Sequence, residues 1–478
     1  MNKDDQTLWV SPEGSDEERG TIDQPFGDID EALARVRPGQ HIALMAGAYT
    51  GNVTIQKSGD QHHPIRIAPA QGALVVIDGA SWFLYDVSDM IIEGLTFRNS
   101  GGTALSAVGA CERNRFADLR FVDCGLTDDT TCTLFFGGTG SRCNIIEGCE
   151  FTRSLPNPAG KGSIAVLVVE GDSDGGTANK DFLIRKNAIS NYGHALLVGS
   201  RDSTTGLHGH VVEYNRISSC TESGIMVRCG DTIVRGNTLR AIGREGISVL
   251  AGVSSMVIDN RITECTTGIR IAGNGHTVAN NCLVRCHQAI HVAGKIREQI
   301  EPATALLIER NTIVHQGAPE AALGIDPGTS CISERNLVYG TPKPVEFLGE
   351  EPSAAQATFT RGLPRLFAKD NALSGCSGEI EGFKVVGADF AAFEADDFTN
   401  HTGYGAEGWV LSPTPYEPDT TAAESMAELS HHAEDLDIEE ETAGEFDDRD
   451  SPVDLQGLFI DDEGAPSIDE DTAEETRS

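Results

Sequence analysis

The chain has 478 residues, 39% of them hydrophobic, and a formal net charge of −37. This hydrophobic content is enough for a folded core, so disorder of the whole chain is not expected. No apolar run is long enough to span a bilayer, and the first residues show no secretory signal peptide. Strong acidity removes the basic surface that binds phosphates, so we expect no nucleic acid partner.

Residues 1–40 are predicted to form an N-terminal cap. Within this region, residues 28–36 place Ile29, Ala32 and Leu33 on one side of an amphipathic helix. A helix at this position would cover the open apolar end of a solenoid, which otherwise invites aggregation.

A motif of the form apolar-x-x-Asn-x-apolar recurs along the following part of the chain. Its asparagines are Asn187, Asn215, Asn237, Asn260, Asn281, Asn311 and Asn336, and Leu95, Leu119 and Cys149 occupy the same slot earlier. The shortest spacing is 21 residues, and we interpret the longer ones as one basic coil plus inserted loops. Such a repeat indicates stacked coils that share one continuous core.

A second apolar stretch lies between successive Asn motifs. Residues 224–228, 246–250, 268–272 and 289–293 alternate with period two, and they are too short for helices. They are predicted to be strands, stacked about 4.8 Å apart in adjacent coils. The predicted fold class is therefore all-β, a right-handed parallel β-helix, in which stacked asparagines can hydrogen-bond to one another in a turn.

Cysteines follow the same register. Cys124, Cys220, Cys265 and Cys286 each lie five residues after the Asn slot. We expect them to be small apolar residues stacked inside the coil. A disulfide is compatible with this spacing but is not implied by it.

The remaining domain boundaries follow from the loss of this pattern. The β-helix is predicted for residues 41–340, and residues 341–420, which lose the Asn register, are predicted to be irregular closing coils and loops. Residues 421–478 contain 21 acidic and two basic residues, a net charge of −19. They are predicted to form a largely disordered acidic C-terminal tail.

Residues from about 38 to 300 resemble the alginate lyase and chondroitinase B family of polysaccharide lyases. The resemblance is carried by residues 268–281, with shorter similar stretches at 38–44 and 92–97. It implies cleavage of uronic-acid polysaccharides by β-elimination, with a Lys base, an Arg on the next coil, and Ca²⁺ held by acidic residues and Asn. Because the family is usually exported, the resemblance favours an extracellular or cell-surface location.

The catalytic positions of the family are only partly matched. Arg228 stands where the family has its Lys, and Leu250 stands where it has its Arg. Near the calcium carboxylates we find only Glu222, one residue out of register, so Glu222 is the candidate ligand if Ca²⁺ is a cofactor. An unmodified copy of the family mechanism is therefore not expected.

Strand alternation predicts which side chains face outward. It places Met226, Ser248, Arg270 and His291 in one outward column, and Arg228, Leu250, Ala272 and Ala293 in the next. Arg228, Arg270 and His291 are the candidate catalytic residues, because arginines can neutralise a substrate carboxylate and His291 can act as a base. The alternative is that these residues are scattered surface charges of a solenoid.

Long insertions provide a second set of candidates. The insertion at residues 199–210 contains Arg201, His208 and His210, which we consider candidate substrate-binding residues because stacked loops build groove walls. Earlier insertions contain Asp128, Asp129, Asp172 and Asp174, which are either calcium ligands or solvated acids.

Two functions are therefore expected as alternatives. The first is a polysaccharide lyase-like enzyme acting by β-elimination on an acidic, uronate-containing polysaccharide. The second is a non-catalytic β-helix that binds glycans or builds a surface structure, which the missing Lys/Arg pair favours. The oligomeric state does not follow from the sequence.

Overall fold

The structure is a computed structural model, and it describes residues 7–125, 132–155, 163–169, 179–199, 208–294, 302–315, 321–349, 365–376, 380–388 and 403–406. The predicted acidic tail lies outside these residues. The described part is almost entirely β-structure, wound into three long parallel sheets. Its one helix has seven residues, and no helix of the described part is long and apolar enough to cross a membrane.

The elements up to the middle of the chain are short and follow one another closely. They are β1 (Thr7–Val10), α1 (Ile29–Arg35), β2 (His41–Leu44), β3 (Gly47–Tyr49), β4 (Val53–Ile55), β5 (Ile65–Pro69), β6 (Val75–Asp78), β7 (Trp82–Tyr85), β8 (Met90–Glu93), β9 (Thr96–Arg98), β10 (Leu105–Val108), β11 (Arg115–Ala117), β12 (Arg120–Val122), β13 (Cys132–Gly137), β14 (Ile145–Glu147), β15 (Glu150–Thr152), β16 (Ile164–Val168), β17 (Leu183–Arg185), β18 (Ala188–Ser190), β19 (His194–Val198), β20 (Val211–Glu213) and β21 (Arg216–Ser218).

The later elements continue the same order. They are β22 (Ile225–Val227), β23 (Ile233–Arg235), β24 (Thr238–Arg240), β25 (Glu245–Val249), β26 (Met256–Ile258), β27 (Arg261–Thr263), β28 (Thr267–Ile271), β29 (Thr277–Ala279), β30 (Cys282–Val284), β31 (Gln288–Val292), β32 (Leu306–Glu309), β33 (Thr312–Val314), β34 (Leu323–Ile325), β35 (Cys331–Glu334), β36 (Leu337–Tyr339), β37 (Val345–Phe347), β38 (Leu366–Lys369), β39 (Asn371–Ser374) and β40 (Phe383–Val385).

Each coil contributes one strand to each of three sheets, in a fixed order. Sheet 1 contains β1 and then every third strand from β2 to β38. Sheet 2 contains every third strand from β3 to β39 and ends with β40, and sheet 3 contains every third strand from β4 to β37. Because every strand pairs in parallel with the strand one coil away, equivalent residues stack in columns along the axis.

The core lies inside the coils. Strand residues such as Ile225, Ile247 and Ile269 are fully buried and stack on one another. All four cysteines of the predicted register are buried and free, which confirms their interpretation as core residues. The structure contains a helix within the predicted segment, in which Asp28 accepts a hydrogen bond from the Asp30 N–H at 3.0 Å and Ile29, Ala32 and Leu33 are buried. Its role as a cap stays a prediction.

The Asn motif forms the turn between sheet 1 and sheet 2. The side-chain Oδ1 of Asn237 accepts hydrogen bonds from both the backbone N–H and the amide of Asn215, at 2.9 and 3.0 Å. The residue before each Asn adopts the left-handed conformation, as at Tyr214 and Gly236. This ladder continues to Asn371, beyond the point where the sequence suggested that the register was lost. The repeat spacing did not predict this continuation, because 35 residues separate Asn336 from Asn371, more than one basic coil.

Candidate functional site

The outer face of sheet 3 brings the predicted catalytic residues onto neighbouring coils. The register pairs Met226 with Ser248, Ser248 with Arg270, and Arg270 with His291, which confirms the predicted column. Adjacent coils are about 4.8 Å apart, so Arg270 and His291 are direct neighbours. Arg228 lies in the next column, two coils from Arg270, and its side chain is outside the coil core.

Outward orientation does not mean exposure on this face. Met226 is 7% exposed, Arg228 is 4% exposed and Ser248 is fully buried, although none of them points into the coil. Leu250 belongs to an apolar cluster outside the coil, together with Cys132, Ile164, Leu167, Leu197 and Met226. The charged groups therefore lie beside a desolvated apolar patch, where electrostatic interactions are stronger than in water.

Arg270 is held by a carboxylate from the preceding coil. Its Nη1 lies 3.2 Å from Glu245 Oε1, and the other oxygen of Glu245 accepts a hydrogen bond from the Ser223 hydroxyl at 3.1 Å. The side chain of Arg270 is 20% exposed, so its guanidinium is accessible from one side. Glu245 and Ser223 thus fix the orientation of the cation.

His291 is paired with a carboxylate from the following coil. Its Nε2 lies 3.0 Å from Asp326 Oδ1, while Asp326 Oδ2 accepts a hydrogen bond from the Gly294 N–H at 2.9 Å. Burial acts to raise the pKa of the Asp326 carboxyl, but His291, the Gly294 N–H and Arg270 outweigh it and hold that pKa below its ordinary value. Asp326 is therefore ionised at neutral pH and can orient the imidazole.

A second histidine on this face, His194, is held neutral mainly by burial. Burial lowers the pKa of His194 to about 4, and the charges of Arg228 and Arg244 add to this effect. His194 is thus neutral at physiological pH. Burial is the main cause of the lowered pKa, and the two arginines make a smaller contribution of the same sign.

Asp326, Glu245 and His194 were missed by sequence reasoning. Asp326 follows β34 in the column of Ala293, but the insertion between β31 and β34 obscures that register. Simple alternation would give Glu245 the inward orientation of Ile247. Gly246 breaks this rule, because it faces Ile262 and Cys265 on the core side, which leaves Glu245 on the outer face.

The candidate substrate-binding residues lie in a different environment. His210 is fully buried in the turn before β20, where its Nδ1 accepts a hydrogen bond from the Phe182 N–H at 3.2 Å. Burial lowers the pKa of His210 to about 3. His208 is 2% exposed and stacks on His210, so both rings are packing residues rather than exposed groove residues. Arg201 lies outside the described residues.

The described residues do not provide the calcium site that the resemblance implies. Glu222 faces Arg244, with 3.4 Å between Oε2 and Nη1, so a cation already neutralises this carboxylate. No group of three or more His, Cys, Asp or Glu in the described ranges is arranged to hold a metal ion. Asp128, Asp129, Asp172 and Asp174 lie outside these ranges, and calcium binding by them stays a prediction.

Comparisons with known proteins agree with this architecture. A family model described as the right-handed beta helix region matches residues 165–316 and 202–351. The pectate lyase PEL9 of Emericella nidulans is 40% identical over 74 residues, which are 15% of this chain and 18% of that protein. The matching segment therefore spans less than a fifth of this curated relative.

Two solved structures are similar over most of the chain. The alginate lyase AlyGC, of polysaccharide lyase family 6, aligns with a TM-score of 0.62 and 15% identity over 84% of this chain and 56% of that one. A mannuronic acid specific family 6 lyase from human gut microbiota aligns with a TM-score of 0.56 and 15% identity over 90% and 99% of the two chains. The protein is a right-handed parallel β-helix that resembles polysaccharide lyases.

Proposed function

We propose that this protein is a polysaccharide lyase-like enzyme that cleaves an acidic, uronate-containing polysaccharide by β-elimination. The observation that carries the proposal is the His291–Asp326 pair beside Arg270 on the outer face of sheet 3. The lyase resemblance of the fold supports it, although fold alone does not determine chemistry.

β-Elimination begins with removal of the C5 proton next to the uronate carboxylate. Asp326 lies against His291 Nε2, which favours the tautomer protonated on that nitrogen and leaves the lone pair on Nδ1. In this form His291 is the group suited to accept the C5 proton. Asp326 then stabilises the imidazolium that forms.

The C5 proton is acidic enough only if the adjacent carboxylate is neutralised. Arg270, oriented by Glu245, is the cation next to His291, and Arg228 adds positive charge from the neighbouring column. A planar guanidinium can bind both oxygens of a carboxylate. Arginines in a partly desolvated site therefore stabilise the negative charge that develops after proton transfer.

The chemical balance of the step needs no further reactant. The C5–H bond breaks as His291 takes the proton, a C4–C5 double bond forms, and the C4–O4 bond breaks. The leaving O4 takes up one proton, so a proton moves from carbon to oxygen and no water is consumed. Neither this proton transfer nor the carboxylate neutralisation is routed through a metal ion.

The direct test is incubation with alginate, polygalacturonate and glycosaminoglycans. We expect ultraviolet absorbance from unsaturated uronates with at least one of these polymers, and its loss in the His291→Ala protein. If none of the polymers yields an unsaturated product, and calcium addition changes nothing, the enzymatic proposal is wrong.

A second candidate is a non-catalytic glycan-binding protein. The specific observation in its favour is Leu250, which occupies the position where the lyase family has its Arg and which is buried in the apolar cluster. A glycan array distinguishes the two candidates. Binding of acidic glycans by wild-type protein, without any turnover, would favour this second function.

A further inference from the structure

The outer face of sheet 2 carries a groove that is separate from the candidate catalytic site. It has a cavity volume of about 260 Å³ and lies over four consecutive strands of sheet 2, namely β15, β18, β21 and β24. Its floor is made of small side chains, Ala188, Ser190 and Ser218. Glu150 bounds one end, and Arg216 and Arg240 bound the other.

The groove follows from the columns of sheet 2. One column runs through Glu150, Ala188, Arg216 and Thr238, and the neighbouring column runs through Thr152, Ser190, Ser218 and Arg240. Two small residues on β18 and one on β21 lie between longer side chains, so the surface is depressed there. Four coils span about 14 Å at the usual strand spacing, which suits an extended chain lying along the axis.

The groove lies in a locally basic strip on a strongly acidic protein. Between β6 and β27, the outward strand positions of sheet 2 carry five arginines, at positions 98, 120, 216, 240 and 261, against two acids. The acids Asp78 and Glu150 pair with Arg98 and Arg120, and Arg261 is buried, so Arg216 and Arg240 are the exposed arginines over the groove. The whole chain has a net charge of −37. An anionic ligand approaching this protein therefore meets attraction on this strip and repulsion from the overall charge.

The cations of the groove are available to a ligand. Arg216 is exposed, and within the described part of the chain its guanidinium has no ion-pair partner. Arg240 pairs with Glu264 at 3.0 Å, but both side chains are solvent-accessible, at 67% and 34%. Exposed pairs of this kind contribute little free energy and exchange readily for another anion.

The later strands of sheet 2 have an apolar outer face that is covered by another segment of the chain. On its later strands, Cys282, Val284, Val314 and Leu337 form an apolar cluster outside the coil, against which Tyr404 packs. The neighbouring Ala406 N–H donates a hydrogen bond to the Thr312 hydroxyl at 2.9 Å. That part of the sheet is a packing surface for the chain itself, whereas the strands under the groove present hydroxyl and charged side chains.

We propose that the groove over β15 to β24 is a second binding site for an acidic oligosaccharide segment, with Arg216 as its principal anion-binding residue. The ligand class rests on the proposed function, because the chain that passes over sheet 3 would carry the same uronates. The hydroxyls of Ser190, Ser218 and Thr238 suit sugar hydroxyls, and Arg216 suits a carboxylate or sulfate. The site would hold a polymer on a face away from the reacting residues.

The test uses the full chain carrying His291→Ala, so that bound sugars are not consumed. Calorimetric titration with oligogalacturonate and alginate hexasaccharides is expected to show two sites per chain, and cellohexaose is the neutral control. Adding Arg216→Glu should remove one site or weaken it about tenfold, the effect of one charge-assisted hydrogen bond. Arg216→Gln should give a smaller loss.

Arg98→Glu is the control for charge reversal on the same sheet beyond the groove, at an arginine that pairs with Asp78 at 2.8 Å. Unchanged binding in Arg216→Glu, or equal binding of cellohexaose, would overturn the second site. The proposed lyase activity is decided separately, because it depends on unsaturated product from protein with an intact His291. If unsaturated product forms but Arg216→Glu binds the oligosaccharides as tightly as its parent, the proposed function stands and only the second binding site is wrong.

Discussion

The outer faces of sheet 1 and sheet 3 both carry columns of charged residues, but the two faces arrange them differently. On sheet 1, Glu93 and Glu147 alternate with arginines along the axis, and Arg115 contacts both of them at 2.9 and 2.6 Å. Arg185 contacts the other oxygen of Glu147 at 2.7 Å. Each of these four charged residues therefore has a partner of opposite sign on the coil before or after it.

On sheet 3 the charged groups come in separate pairs rather than in a ladder. Arg270 is paired with Glu245, and His291 is paired with Asp326, beside buried apolar residues. One of these groups, His291, carries an imidazole whose Nε2 lies 3.0 Å from Asp326 Oδ1. The difference teaches that stacking in register can produce two arrangements. An alternating column links neighbouring coils of the β-helix, whereas isolated pairs fix the orientation of the residues that we propose to be catalytic.

The first way to test this comparison is to remove the imidazole of sheet 3. His291→Ala is expected to lower lyase activity by about 10²- to 10⁴-fold, because a general base is lost. The measurement is the initial rate of unsaturated uronate formation. The midpoint of thermal unfolding should stay close to wild type, since His291 is partly exposed and is not a core residue.

Glu147→Gln is the matched variant on sheet 1. It leaves Arg115 and Arg185 without the carboxylate that they share, and all three side chains are less than 20% exposed. We expect a loss of about 1–3 kcal/mol in the free energy of unfolding, measured by denaturant titration. Activity of the folded protein should be unchanged, and a catalytic defect of the size seen in His291→Ala would contradict the division of roles.

His194 on sheet 3 and Glu147 on sheet 1 are expected to lose their contributions to stability over different pH ranges. The pKa of His194 is about 4 in the folded protein, against about 6.5 in an unfolded chain. The unfolded state therefore binds more protons between these values, and stability present above pH 6.5 is lost as the pH falls towards 4. Burial raises the pKa of Glu147, but Arg115 and Arg185 outweigh it and hold that pKa below its ordinary value. Its contribution is therefore lost only at lower pH.

The check is a comparison of unfolding free energies at pH 7 and pH 5. Between these two values, His194→Asn should lose about 1–2 kcal/mol less stability than wild type. The difference between wild type and Glu147→Gln should stay nearly constant over the same interval. Equal pH slopes for His194→Asn and wild type would show that the His194 ring is not held neutral.

The smallest effect is expected for an exposed pair on sheet 2. Arg240→Gln breaks the contact with Glu264, in which the arginine side chain is 67% exposed. The expected change in unfolding free energy is less than about 1 kcal/mol, because exposed ion pairs contribute little. A loss as large as that of Glu147→Gln would mean that exposure does not separate structural charge ladders from surface pairs in this fold.

The repeat made most of the fold predictable. A motif of about two dozen residues, with Asn in one slot and alternating strands between, allows few other arrangements, since each coil buries its apolar face only against its neighbours. Arg270 and His291 were placed on adjacent coils by the same reasoning, and the structure confirms that register. The continuation of the ladder to Asn371 was missed, because counting spacings fails where long insertions separate coils.

Composition, period and alternation by themselves determined that this chain is a β-helix and which column most strand residues join, Glu245 being an exception, because those properties depend on local spacing along the chain. Only the tertiary structure decided which outward residues are buried, that His210 is a packing residue, and that Asp326 meets His291. Burial and pairing depend on residues from other coils and insertions, and no spacing rule within one coil specifies those contacts.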